Sequence, residues 1–164
     1  MNSKSFENEY QRVLARSDLS EMRRTLKSAA RFVRSNRKLL DEDPHDQGFG
    51  EIYEPDDPER LLAFSILAMA EFDDPHLIGL IAAGPLEDIF MFSAIGSEYL
   101  PPADPDLIEN LLVRIEDEAR KTARFRWMLS GVWTTSFKPD HAKRIETACA
   151  GASLEDTLPP RPWA

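Results

Sequence analysis

The chain has 164 residues, the length of one ordinary domain, and is 42% hydrophobic and 30% charged. This balance is typical of a globular protein and excludes a disordered or membrane-spanning chain. The 29 acidic residues outnumber the 20 basic ones, for a net charge of −9. That charge disfavours nonspecific binding of the whole molecule to nucleic acid or to an anionic membrane. Because Cys149 is the only cysteine, an internal disulfide and a cysteine-rich zinc site are excluded.

The apolar residues indicate helices. Leu and Ala together number 35 against 4 Val, which favours helix over sheet. Near the N-terminus, apolar residues recur at intervals of three and four, the spacing of one helix face. They are Leu19, Met22, Leu26, Ala29, Ala30 and Val33. We therefore predict a helix over residues 20–40, preceded by a shorter helix.

Asp-Pro pairs mark further helix starts. Aspartate accepts hydrogen bonds from the free amides of a first turn, and proline at the first helical position loses no bond. Such pairs precede apolar helical patterns over residues 61–72, 76–83 and 107–119. Two more helices are predicted, one after Thr122 and one over residues 139–150.

Glycine and proline divide the chain at two other places. Gly84 is predicted to end one helix as a left-handed cap, and Pro85 to open the next helix, which runs through Ile95. The remaining Asp-Pro pair, Asp43-Pro44, lies in a stretch without helical periodicity. We interpret that stretch as a long acidic loop.

These elements predict an all-α fold, a single compact bundle of about seven or eight short helices with the acidic loop after the second helix. We expect one domain over residues 1–150 and a flexible, proline-rich tail over residues 151–164. The most apolar stretch, residues 61–70, is too short to span a bilayer, and the N-terminal residues lack the apolar run of a signal peptide. We therefore expect a cytoplasmic protein.

Charge is distributed unevenly along the chain. Residues 1–40 hold 10 basic and 4 acidic side chains, whereas residues 41–110 hold 18 acidic side chains and a single basic one. The densest carboxylates form either an ordinary solvated loop or a docking surface for a basic protein, since they raise its encounter rate. As candidate partner-binding residues they are Asp41, Glu42, Asp43, Asp46, Glu51, Glu54, Asp56 and Asp57.

The basic side chains of the predicted 20–40 helix also have two interpretations. They fall largely opposite its apolar stripe, as on any solvated helix face. They also form a stretch where nucleic acid could bind, although no aromatic residues alternate with them and no recognition motif is present. The residues in question are Arg23, Arg24, Lys27, Arg31 and Arg34.

Catalytic and cofactor motifs are missing from the sequence. The three histidines lack the spacing of a metal site, and no nucleophile elbow, Walker loop or dinucleotide fingerprint occurs. We therefore expect no enzymatic activity, no cofactor and no bound metal.

Two motifs carry a family resemblance. The first motif, residues 82–88, is AAGPLED, and the second motif, residues 123–133, is ARFRWMLSGVW. Together they resemble an uncharacterised family of small bacterial domains of unknown function with an AAGPLED … RFRxxLxGVW signature, covering residues 58–135. The residues that carry the resemblance are Gly84, Pro85, Glu87, Asp88, Arg124, Arg126 and Trp133. Since that family has no established activity, the resemblance implies no catalytic residue.

A scaffold role accounts for these motifs in physical terms. Glu87 and Asp88 lie in the first turn of a predicted helix, where carboxylates suit the helix dipole. Trp133 is predicted to fold back as an apolar plug against Phe125 and Leu129. In the alternative interpretation, the two carboxylates face a partner or form a buried ion pair with an arginine of the second motif.

Two classes of function follow from the sequence. The first is a small cytoplasmic binding protein that neutralises or regulates a basic protein partner through an acidic surface. An immunity protein for a secreted toxin and a phage-type inhibitor are examples, because binding needs a surface and no catalytic motif. The alternative is a nucleic-acid-associated regulatory protein that uses the arginine-rich helix over residues 20–38.

Overall fold

The computed structural model describes residues 8–35, 57–94 and 104–162. In these residues the chain forms helices and no strands, which confirms the predicted all-α class. The helices are α1 (Glu9–Leu14), α2 (Leu19–Ser35), α3 (Pro58–Glu71), α4 (Pro75–Ile81), α5 (Glu87–Ala94), α6 (Pro105–Lys121), α7 (Ala123–Leu129) and α8 (Pro139–Ala148). A π-helical turn over Ala82–Leu86 joins α4 to α5. The predicted acidic loop falls on residues outside those described.

Helix α3 is the centre of the fold. Residues 61–70 are buried without interruption, and α3 packs against α1, α2, α4, α5, α6 and α7. A helix that is apolar all round belongs in a core, whereas a single apolar stripe belongs on a covering helix. Helix α2 has such a stripe, and its buried residues match the predicted face from Met22 to Val33. No helix of the described ranges has both the length and the apolarity to cross a membrane.

The Asp-Pro pairs begin helices as predicted. Asp57, Asp74 and Asp104 each accept a hydrogen bond from a first-turn backbone amide, at 3.0, 3.0 and 2.9 Å. The following proline in each case occupies the start of the helix. Because proline has no N–H, its position adds no unsatisfied donor to the first turn.

Asp57 therefore has a measurable role as the cap of α3. We expect Asp57→Ala to lower the free energy of unfolding by about 1 kcal/mol, because the Arg60 amide loses its acceptor. Asp57→Asn should cost little, since asparagine caps as well as aspartate does. Urea unfolding of the two variants measures this difference. Equal losses for both would mean that the negative charge, and not the cap, stabilises this position.

The junction between α4 and α5 corrects the predicted left-handed cap. Gly84 lacks the positive φ of such a cap and lies inside the π-helical turn Ala82–Leu86. Pro85 has no N–H, and its ring would clash with the carbonyl four residues earlier in a regular helix. The wider turn avoids that clash, and the Glu87 N–H donates to the carbonyl of Ala82, five residues back. The chain thus passes from α4 to α5 through a continuous helical turn.

The C-terminal segment, residues 151–162, lies against the helices, in contrast to the loosely held tail predicted. The indole Nε1 of Trp127 donates to the carbonyl of Asp156 at 2.9 Å. The guanidinium Nε of Arg124 donates to the carbonyl of Pro159 at 2.8 Å. The proline-rich composition gave no indication of these contacts, because the donors come from a distant helix.

Candidate functional site

The two motifs meet in the fold. The π-helical turn of the first motif packs against α7, which belongs to the second motif. A Cβ atom on Gly131 would lie 3.2 Å from the Cβ of Ala82, tighter than ordinary packing. Glycine therefore allows the backbone after α7 to approach the turn this closely.

A hydrogen bond joins the motifs at their ends. The backbone N–H of Trp133 donates to Oε1 of Glu87 at 2.8 Å. Glu87 is half-buried in the first turn of α5, and this burial raises the pKa of its carboxyl. The bond from Trp133 opposes the rise, while the charge of Asp88 adds to it. In the described residues no cation bonds this carboxylate, so it lacks a counter-charge.

Trp133 does not form the predicted apolar plug, because 75% of its surface is exposed. The turn after α7 explains the difference. The N–H of Val132 donates to the carbonyl of Leu129, and the Val132 side chain is buried instead. The backbone of the next residue is then held by Glu87. The structure thus places a large aromatic side chain at the surface on a residue whose backbone N–H bonds a carboxylate.

The arginines of the second motif bind backbone carbonyls. Arg124 is 3% exposed and donates to the carbonyls of Met69 and Phe72 at 2.7 and 2.9 Å. Arg126 donates to the carbonyl of Ala119 at 2.7 Å. In the predicted alternative, Glu87 or Asp88 forms a buried ion pair with one of these arginines; the Glu87 carboxylate instead accepts from the Trp133 amide. Both guanidinium groups instead satisfy helix C-terminal carbonyls.

One of the candidate acidic residues can be placed in the structure. Asp57 caps α3 and accepts from the Arg60 amide. The other candidates lie outside the described residues: Asp41, Glu42, Asp43, Asp46, Glu51, Glu54 and Asp56.

The basic face of α2 is largely at the surface. Arg24, Lys27, Arg31 and Arg34 are exposed. Arg23 differs from them, because its Nε donates to both carboxylate oxygens of Glu71 at 3.0 Å. Of the five basic residues considered for nucleic-acid binding, four are therefore exposed at the surface.

An ion cluster that the sequence did not predict joins α1, α3 and α6. Arg114 of α6 donates to both oxygens of Glu9 in α1, at 2.8 and 2.7 Å, and to both oxygens of Glu59 in α3, at 2.7 Å. Nearby, Glu118 is buried and accepts from the Thr122 hydroxyl at 2.9 Å. Burial raises the pKa of the Glu118 carboxyl. Because every carboxylate of the cluster is already bonded, we interpret it as a structural link between three helices.

In the part of the chain that the structure describes, no group of three or more His, Cys, Asp or Glu side chains is arranged to hold a metal ion. Cys149 is half-buried just after α8, and burial raises the pKa of its thiol. A raised pKa makes a thiol less reactive at neutral pH.

The fold and the site define a small helical domain whose two motifs meet beside an exposed tryptophan. The chain matches a family of unknown function, DUF6869, over residues 45–153, and it belongs to that family. Both motifs lie within the matched range, and the predicted membership of an uncharacterised domain family is confirmed. No curated protein and no solved structure matches the chain.

Proposed function

We propose that the chain is a small binding protein that neutralises or regulates a basic protein partner through an acidic surface. The observation that supports this most is the exposed Trp133 beside the half-buried carboxylate of Glu87. Tryptophan is enriched among the residues that carry most of the energy of protein interfaces. Its indole face also attracts Lys and Arg side chains.

Charge determines the kind of partner. The Glu87 carboxylate is held by a backbone amide without a cation in the described residues, and burial raises its pKa. A partner's guanidinium or ammonium group would supply the missing counter-charge and favour the ionised form. The net charge of −9 attracts such a partner over a longer range.

A toxin-immunity protein or a phage-type inhibitor in the cytoplasm fits this proposal. Such a protein acts by covering a surface of its partner, so it needs no catalytic group. The absence of catalytic motifs from the sequence is consistent with this class, and we propose no enzymatic activity.

Binding of the partner captured from the native host tests the proposal. We expect Trp133→Ala to weaken affinity by about 30-fold or more, the loss of about 2 kcal/mol typical of an interface hot spot. Glu87→Gln retains the acceptor for the Trp133 amide but removes the charge, so it should mainly slow association. Surface plasmon resonance at low and high salt measures both effects.

Val113→Ala is the matched control. Val113 is also an exposed apolar residue, 49% accessible, but it lies on α6 and belongs to neither motif. Its removal should leave affinity unchanged. Equal effects of the two alanine substitutions, or an affinity that does not depend on salt, would contradict the proposed site.

The basic face of α2 supports a second candidate, a nucleic-acid-associated protein. In the described residues, no acidic side chain pairs with Arg24, Lys27 or Arg31. A phosphate backbone could pair with this face while the rest of the molecule repels it. We expect a mobility shift with DNA or RNA at low salt that is lost on changing the three residues to Glu. No shift with the wild-type chain removes this candidate.

A further inference from the structure

The C-terminal segment occupies a groove between α4 and α7. Leu154 lies over two glycines, where side chains would otherwise stand. A Cβ atom on Gly131 would be 2.7 Å from Cδ1 of Leu154, and one on Gly79 would be 3.7 Å from it. His76 and Trp127 line the same cleft. The groove therefore holds an aliphatic side chain at one end.

Its middle part recognises the backbone of the segment. The donors are side chains of α7, Trp127 and Arg124, and the acceptors are the main-chain carbonyls of Asp156 and Pro159, at 2.9 and 2.8 Å. Backbone carbonyls are common to all peptides. The Asp156 N–H donates to the carbonyl of Ser153 at 3.0 Å, so the segment turns before its proline-rich part. Aromatic-lined grooves bind proline-rich segments through such contacts.

The far end of the groove recognises a positive charge. Arg161 forms a two-point contact with Asp73, Nε to Oδ1 at 2.9 Å and Nη2 to Oδ2 at 2.7 Å. Such paired contacts between guanidinium and carboxylate are strong and directional. Asp73 follows α3 and is also bonded by Arg124 at 2.7 Å, so its position is fixed before a ligand arrives.

Two observations indicate that the segment is not the only ligand this groove can take. The match to the family ends at residue 153, so the groove residues lie inside the family domain and the chain that fills the groove lies beyond it. Moreover, Nε2 of His76 is enclosed and has no hydrogen-bond partner. A lining residue of the cleft thus carries a polar atom that the C-terminal segment does not bond.

We propose that this groove binds a proline-containing segment of a protein partner that turns at an aliphatic residue at one end, as residues 153–156 do, and carries Lys or Arg at the other. Residues 154–161 occupy it in cis and compete with that partner. Because of this competition, the partner's apparent dissociation constant equals its intrinsic value divided by the fraction of molecules in which the groove is open. The groove is distinct from the Glu87–Trp133 contact, so this proposal does not depend on the proposed partner site.

A labelled peptide of residues 151–164 tests the proposal with the full-length chain. We expect the peptide to bind the wild-type chain weakly. It should bind the double variant Leu154→Ala/Arg161→Glu at least about tenfold more tightly, because the variant's own segment no longer holds the groove firmly. A peptide with those same two changes should not bind the double variant. Circular dichroism checks that both chains are folded, and hydrogen exchange checks that the segment is released.

Three results of the peptide assay would overturn the proposal. They are equal peptide binding to both chains, no binding to a folded double variant with a released segment, and equal binding of the altered peptide. A wild-type dimer that becomes monomeric in the double variant would also overturn it, because the segment would then bridge two copies. Trp133→Ala in the double variant should leave peptide binding unchanged, which separates this groove from the proposed partner site.

Discussion

Arg114→Met should lower the free energy of unfolding by about 3 kcal/mol, because it leaves the buried carboxylate of Glu9 and the partly buried one of Glu59 without their cation. The side chains of Arg114 and Glu9 are 14% and 10% exposed, so water has little access to the Glu9 carboxylate, whereas Glu59 is 32% exposed and partly hydrated. A protein of this size is stable by only about 5–15 kcal/mol. Urea unfolding of the wild-type and variant chains at neutral pH measures the loss.

The variant should also reduce one contribution to the pH dependence of stability. Burial acts to raise the pKa of Glu59, but the hydrogen bonds and charge of Arg114 outweigh it, and the pKa lies below the ordinary 4.5. In the wild type, Glu59 therefore stabilises the fold above pH 4.5, and this contribution is lost as pH falls through the lowered value. Without Arg114, the charges of Arg12 and Arg16 still lower the pKa of Glu59, but burial opposes them and the pKa rises from its wild-type position. The variant should therefore lose less stability than the wild type as pH falls below 4.5.

Arg120→Met is the matched control on the same helix. Arg120 is 72% exposed and contacts Asp117 one turn away, so its removal should change stability by less than about 0.5 kcal/mol. Arg114→Lys keeps the charge but cannot hold two carboxylates at two points each, and should fall in between. A similar small loss for Arg114→Met and Arg120→Met would show that the cluster contributes nothing to stability.

Local signals predicted most of the fold. An Asp-Pro pair contains its own reason for starting a helix, since the carboxylate and the proline act on adjacent residues. The apolar pattern over residues 61–72 likewise indicated a helix, and its residues 61–70 are buried in the structure because no face of it suits water. The structure contains these features as predicted, because the interactions behind them involve residues close together in the sequence.

Features that depend on distant residues were not predictable in this way. The contact of Arg114 with Glu9 joins positions 105 residues apart, and no spacing rule connects them. Trp133 was assigned to the interior by its size, but Val132 takes that place. Gly84 was assigned to a cap by residue type, whereas the proline that follows it requires a wider helical turn.

The candidate site was predictable only in part. The two motifs identified Glu87 and Trp133 as residues of interest, but the hydrogen bond between them depends on the close approach of Gly131 to Ala82. The groove was missed for a related reason. Its ligand is a segment whose composition is typical of a solvated tail, and its donors belong to α7.

Arg124→Met should cost about 3 kcal/mol, because it leaves buried backbone carbonyls without a donor. The last four carbonyls of a helix have no partner within it. In α3 the carbonyl of Met69 is one of these, and the Arg124 guanidinium bonds both it and the carbonyl of Phe72. The same substitution removes the donor to Pro159, so amide exchange of the C-terminal segment should accelerate along with the loss of stability.

Arg126→Met separates this role from the general effect of removing an arginine of α7. Arg126 also bonds helix C-terminal carbonyls, those of Ala119 and Arg120 in α6, but it is half-exposed, and water can take its place. We expect it to cost about 1 kcal/mol or less and to leave exchange in the C-terminal segment unchanged. Equal losses for the two variants would contradict a special role for Arg124. A destabilised Arg124→Met chain whose segment exchanges as slowly as in the wild type would instead locate the effect in α3 alone, because the carbonyls of Met69 and Phe72 lie at its end whereas that of Pro159 lies in the groove.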